Sequence, residues 1–159
     1  MHRFQQSLLR LLRRLHRHRP DGLQVAEVGV FRGETTAILL ERCPFIKRLT
    51  AVDIVVSDAA IERLTPHNQR VEWLRMPSVE AAKLVGEHDF VFIDADHSYE
   101  AVADDIRAWR PKVSAGGILC GHDYRRWAVG VRRAVDELLP EKEIWGGGVW
   151  VLTNDYRCL

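Results

Sequence analysis

VAEVGVFRGETT, residues 25–36, decides how the rest of this chain is read. Its first residues are small and apolar, as in a strand covered on both faces. The run then breaks at Gly29 and Gly33 and passes into Glu34-Thr35-Thr36, which can open a helix. A glycine at the end of a buried strand lets the chain turn sharply and lets a ligand come close to the backbone. The helix that follows aims its free N–H groups at the same place. The stretch therefore reads as strand, binding loop and helix, the opening unit of an α/β fold.

Outward from that unit the pattern repeats. Strands are expected at about 24–28, 49–53, 71–75, 89–94 and 116–120, with helices at about 34–42, 57–64, 78–85, 98–109 and 126–139 between them. Val102, Ile106 and Trp109 form an apolar stripe on one helix; Trp127, Val131, Val135 and Leu138 form one on another. Alternating strands and helices imply a parallel sheet with helices on both faces. The pattern ends differently, because EIWGGGVWVLTN holds two strands joined by Gly146-Gly147-Gly148 with no helix between. That is a hairpin, so the last strand must be antiparallel. The expected fold is a Rossmann-like, doubly wound, mostly parallel sheet of about seven strands with an antiparallel C-terminal hairpin strand.

The length of 159 residues suits one domain with one core. Hydrophobic residues at 47% and charged residues at 28% are ordinary for a soluble protein, and no apolar run approaches a membrane span. Cys43, Cys120 and Cys158 are odd in number and widely spaced, which argues against a disulfide framework or a zinc site and suits a reducing, cytoplasmic setting. Charge is uneven. Residues 1–19 carry six arginines and no acid, leaving 17 basic against 22 acidic residues, a balance of −5, in residues 20–159. Phe4, Leu8, Leu11, Leu12 and Leu15 recur at helical spacing among those arginines. Residues 1–19 are thus a basic amphipathic helix, and 20–159 the main domain. The apolar stripe packs either on that domain or on a second subunit with the arginines solvated, or the helix binds an anionic ligand or nucleic acid, or lies on a membrane surface.

In an open sheet of this kind ligands sit beyond the carboxyl ends of the strands, near the reversal of strand order. Those ends carry Glu27 and Gly29, Asp53, the turn Met76-Pro77-Ser78, then Asp94-Ala95-Asp96-His97, and Gly121-His122-Asp123-Tyr124. Asp53 either accepts ribose hydroxyls or caps the next helix. The dinucleotide pattern G-x-G-x-x-G is absent, and Glu27 two residues before Gly29 suits a ligand bearing an ammonium better than a pyrophosphate. His97 and His122 share the rim and are the candidates for a base near neutral pH.

Together VAEVGVFRGETT, AVDI, FIDADHSYEAVADDIRAW and GGILCGHDY resemble class I S-adenosylmethionine-dependent methyltransferases, and within them methyltransferase family 24. The resemblance runs from about residue 23 to 153 and includes the terminal hairpin. It implies that Glu27, Gly29, Phe31 and Gly33 surround the amino-acid part of S-adenosylmethionine. Asp53 would hold its ribose, Pro77 and Ser78 would flank its adenine, and Asp94 would stand beneath the sulfonium. For catalysis it leaves His122 ahead of His97 as the base, with Asp123 orienting the histidine. Related O-methyltransferases bind a divalent ion, which would here fall on Asp94, His122 and Asp123. The histidine disfavours magnesium, while manganese or iron would accept it, and a metal-free site is the alternative.

The expected function is methyl transfer by in-line displacement to oxygen of a small molecule, with a histidine assisting deprotonation. A cofactor-binding subunit without catalysis is the alternative. No membrane contact is expected, and the acidic balance of residues 20–159 argues against nucleic acid as the partner. So short a chain has little to roof a cofactor. A homo-oligomer is therefore expected, with the apolar stripe of residues 4–15 as candidate interface.

Overall fold

A computed structural model describes residues 1–154; Cys158 lies outside the described residues. The chain opens with helix α1 (Arg3–His16), capped where Gln5 Oε1 accepts from the His2 backbone N–H at 2.8 Å. There follow β1 (Leu23–Val28), α2 (Glu34–Arg42), β2 (Ile46–Asp53), α3 (Asp58–Leu64), a 3-10 segment (Thr65–Arg70) and β3 (Val71–Arg75). After these come α4 (Ser78–Leu84), β4 (His88–Ile93), α5 (Tyr99–Trp109), β5 (Val113–Gly121), α6 (Val129–Leu138), β6 (Glu143–Trp145) and β7 (Val149–Thr153). Ser57 and Ser98 cap α3 and α5 by accepting from the backbone N–H three residues on.

The seven strands lie in the order β3-β2-β1-β4-β5-β7-β6. The first five are parallel, while β7 runs antiparallel to both β5 and β6. This is the doubly wound sheet with an antiparallel terminal hairpin that the alternation implied. Strand order reverses between β1 and β4, and there Val28 pairs with Ile93. Gly29 and Asp94, the next residues of the two strands, therefore lie at the switch point.

The sheet separates two apolar layers. Val25 of β1 faces the layer that contains α1 and α2, whereas Ala26 and Val28 face the layer that contains α4, α5 and α6. Glu27, next in the strand alternation after Ala26, is on the α2 side with only 2% of its surface exposed. On α1, Leu8, Leu11, Leu12 and Leu15 are buried in the α2-side layer. The stripe expected as a subunit interface is thus covered by the chain's own sheet. Anchorage continues past the helix, where Arg19 pairs with Asp89 and donates to the Ala115 carbonyl.

Three boundaries depart from the sequence expectation by three residues. Helix α6 starts at Val129, so Trp127 precedes it and is 66% exposed instead of completing the stripe with Val131 and Val135. The turn responsible starts at Asp123, whose carbonyl accepts from the Arg125 N–H. Strand β2 begins earlier than hydrophobicity suggests, through Lys47-Arg48, because backbone pairing does not need apolar side chains; β5 begins earlier because Val113 pairs with His88, the register shifting before Ile118 pairs with Phe90. Among the described residues no helix is long and apolar enough to cross a membrane.

Candidate active site

The loop between β1 and α2 fits against the end of β4. Gly29 has φ 90°, and a Cβ there would lie 2.2 Å from the Asp94 carbonyl oxygen, so only glycine is accommodated. Phe31 (φ 52°) and Asp123 (φ 55°) also occupy the left-handed region, which is costly for residues with a Cβ. Such strain is held by surrounding contacts and concentrates at functional sites.

Asp53 supplies contacts of that kind. Its Oδ2 accepts from the Val30 and Phe31 backbone N–H groups at 2.9 Å each, and Oδ1 accepts from Val55 N–H at 3.1 Å. The carboxylate braces the glycine loop from the neighbouring strand. It also lines a cleft of about 270 Å³ with Val28, Gly29, Met76, Pro77 and Ser78. Ser78 Oγ accepts from the buried Trp109 indole at 2.8 Å, which fixes the first turn of α4 against α5. On the other side of the loop a hollow of about 120 Å³ is lined by Glu27, Gly29, Phe31, Thr35 and Asp94. The two spaces share Gly29.

Glu27 is the unusual group in the smaller hollow. Oε2 is buried with no hydrogen-bond partner, and so is the Thr36 hydroxyl close by. Burial pushes the carboxyl up to about 8; Thr36 pulls it down without making a well-formed bond, and the Asp94 and Asp53 charges add to the rise. A buried acid without partners is costly unless something arrives to satisfy it. A ligand cation would do so.

Beyond β4 and β5 two imidazoles and two carboxylates converge. His97 Nε2 is 3.1 Å from Asp123 Oδ2 and 4.0 Å from Asp94 Oδ1. His122 Nδ1 is 3.5 Å from Asp94 Oδ1 and 3.4 Å from Asp123 Oδ1. His122 Nε2 lies 3.1 Å from the Gly147 carbonyl, which can only accept, so this nitrogen carries a proton. Burial acts to lower the His122 pKa, yet the Asp94 and Asp123 carboxylates and the Gly147 carbonyl together raise it above the ordinary value. Nδ1 faces the two carboxylates, and the ring stacks on Phe4 at 4.1 Å. The His122 side chain is only 13% exposed, that of His97 47%. Ligand atoms of Asp94, His97 and Asp123 lie within 4.8 Å of one another. This is a candidate cation trio in which His97 stands where His122 was expected.

The structure thus brings Glu27, Gly29, Phe31 and Asp94 around one hollow, Asp53, Pro77 and Ser78 around the adjoining cleft, and His97, His122 and Asp123 beside Asp94. Gly33, at the N-cap of α2 with φ 72°, shapes the loop without lining either space. Two participants were not seen in the sequence. Phe4, read there only as part of a stripe, stacks on His122. Gly147, read as hairpin filler, accepts from His122 and from Arg125 at 2.5 Å, and a Cβ on it would lie 2.4 Å from the Phe4 nitrogen. The only sequence signal for these was the triple glycine, whose lack of side chains permits another element to approach.

Comparison with known proteins agrees with this geometry. A family described as a methyltransferase domain matches residues 26–124, from within β1 to the loop after β5. An uncharacterized protein of Acanthamoeba polyphaga mimivirus is 26% identical over 136 residues, covering 76% of this chain; the chain spans 61% of that protein's length. Among solved structures, cofactor-bound Rv0187 from MTB superposes with a TM-score of 0.73 at 18% identity, covering 94% of this chain and 80% of the other. CalS11, a TDP-rhamnose 3'-O-methyltransferase of calicheamicin biosynthesis, gives 0.70 at 17% identity, with 96% and 80% covered. At such identities the structures speak for the fold alone. With the family match over more than half of its length, the chain belongs to the methyltransferase-domain family, of the class I S-adenosylmethionine-dependent type.

Proposed function

We propose that this domain transfers a methyl group from S-adenosylmethionine to an oxygen of a small-molecule acceptor. The observation that carries the reading is the meeting of Glu27, Asp94, His97 and Asp123 at the sheet's switch point. The residues fit the cofactor: the orphaned Glu27 Oε2 would accept from its ammonium, and Gly29, common to both spaces, presents bare backbone between them. Asp53 offers its carboxylate to the ribose, and Pro77 with Ser78 flanks the adenine in the larger cleft. When bound, the cofactor supplies an electrophilic methyl on a cationic sulfur, a charge that Asp94 is placed to favour.

The protein's own work is then alignment and removal of the acceptor's proton. His97 suits the second task better than His122. Asp123 can accept from His97 Nε2–H, which fixes the tautomer with a bare Nδ1 ready to take the hydroxyl proton. With that proton held at His97 Nδ1, the acceptor oxygen would be free to take the methyl group that the cofactor supplies. His122, with Nε2 held on the Gly147 carbonyl and Nδ1 facing Asp94 and Asp123, contributes position.

A second reading is favoured by the 4.8 Å convergence: Asp94, His97 and Asp123 would hold a divalent ion that lowers the acceptor's pKa. Two carboxylates and an imidazole fit manganese or iron better than magnesium. The readings use His97 Nε2 differently, so metal dependence separates them.

Calorimetric titration with S-adenosylmethionine and S-adenosylhomocysteine, on wild type and Asp53→Ala, is the first test. Binding in the wild type, weakened at least tenfold in the variant, is expected; no binding by folded wild type would overturn the proposal. An acceptor screen with manganese, iron or chelator follows. Turnover that survives chelation and is lost in His97→Asn supports the His97 base, and turnover abolished by chelation favours the metal.

A further inference from the structure

Helix α1 has a second face, opposite its leucines. At 100° per residue Arg3, Arg10, Arg13, Arg14 and Arg17 fall within an arc of about 100°. All five are exposed. Among the described residues none makes an ion pair or a side-chain hydrogen bond, whereas nearby Arg19 is tied to Asp89. The first 19 residues hold no acid to neutralise them. Acids sit at the margins: Asp21 in the turn after the helix, Glu34 and Glu41 beside Gln5 and His2, and Glu143, which shares a hollow with Arg14 and His18 while accepting from the Trp145 indole.

This face is rigid because the other side of the helix is buried. Five arginines are therefore anchored along about 21 Å of helix, a length matching about six phosphates of one duplex strand. Arginine suits phosphate, since its planar fork donates two parallel hydrogen bonds. The line ends beside the site, for Gly147 packs against the backbone of Arg3 and Phe4 and accepts from His122.

We propose that the arginine face of α1 is a docking surface for the phosphodiester backbone of a nucleic acid. The negative balance of residues 20–159, which argued against such a partner, does not oppose it once the cations are segregated on one helix. That segregation turns this face toward a polyanion. A lipid surface is the poorer occupant, because an interfacial helix inserts its apolar side and here that side is buried in the domain. The proposal stands independently of methyl transfer.

Fluorescence anisotropy of the full chain with a labelled single-stranded RNA and a DNA duplex, each about twenty nucleotides long, tests it. Binding is expected with a log–log salt slope of about −2 to −4.5, as three to five phosphate contacts require. Arg10→Gln/Arg13→Gln/Arg14→Gln/Arg17→Gln should lose at least tenfold in affinity and flatten the slope. The pair Arg13→Gln/Arg17→Gln should lose part of the affinity, and Arg48→Gln/Arg110→Gln, elsewhere on the surface, none. Melting temperature and S-adenosylmethionine titration of the same variants report separately on fold and cofactor site. No binding at about 50 mM salt, or equal binding by wild type and the fourfold variant, would overturn the proposal. So would stripe-dependent binding to phosphatidylserine vesicles with none to either nucleic acid.

Discussion

Glu27 shows how one side chain can link pH, stability and ligand. Its carboxyl titrates near 4.5 when unfolded and at about 8 in the folded protein, so between those values the folded state holds the extra proton. Stability must then fall as pH rises, by about 1.4 kcal/mol per pH unit across that window. Glu27→Gln imitates the protonated acid and removes the slope, so chemical denaturation should find the variant more stable than wild type above pH 8, by several kcal/mol on the order set by that window. Cofactor binding should respond in the opposite sense. The variant should bind S-adenosylmethionine more weakly, with a larger deficit at alkaline than at acidic pH in a calorimetric series. Equal stability curves would mean that Glu27 is solvated. The His122 contribution also fades with rising pH: its raised pKa gives stability that is complete below the ordinary histidine range and lost through the folded value.

At the scale of elements, the site depends on α1 as much as on the strand ends. The Phe4 ring lies 4.1 Å from His122 and 6.4 Å from Phe92, and Ser7 Oγ donates to the Gly146 carbonyl at 2.7 Å. Phe4→Ala should lower stability by about 1–3 kcal/mol, less than a fully buried phenylalanine would cost. It should also lower turnover more than cofactor affinity, because it frees His122 without touching the glycine loop; thermal melts and initial rates would show this split. The strand-end loops were legible in the sequence because glycine and acid spacing there follow local backbone needs. Trp127 was misplaced because its apolar spacing continues a helix that the turn after Asp123 has not yet begun. Which nitrogen of His97 or His122 meets which oxygen is set by β4, β5 and the hairpin together, and no local pattern records it. The destination of the α1 stripe was open for the same reason, since amphipathic spacing tells that a face is covered without saying by what.

For the molecule as a whole, the doubly wound order gathers its functional chemistry on one edge and leaves the helices to carry the core. Alternation of strands and helices was enough to reach that architecture, because connection length and handedness leave few other parallel arrangements. The final hairpin inserts β7 between β5 and β6, so the sheet is closed by residues remote in sequence from those they join. Hydrogen exchange should therefore find α1 and β7 protected to a similar degree and opening together, while the loop after β2, with Ile54 and Val55 exposed, exchanges faster. Independent opening of α1 would contradict this.

The contact between the first helix and the triple-glycine turn sets a time order. Ser7 and Gly146 are separated by 139 positions, and His122 finds its partners only when both have arrived. Contacts of such span form late in folding, after the loop-closure cost has been met by the sheet. A chain in which β1 to β5 have assembled can already shape the cofactor cleft around Gly29 and Asp53, yet its histidine is still unclamped. Binding competence should therefore precede chemical competence during refolding, with the hairpin acting as the step that arms the site.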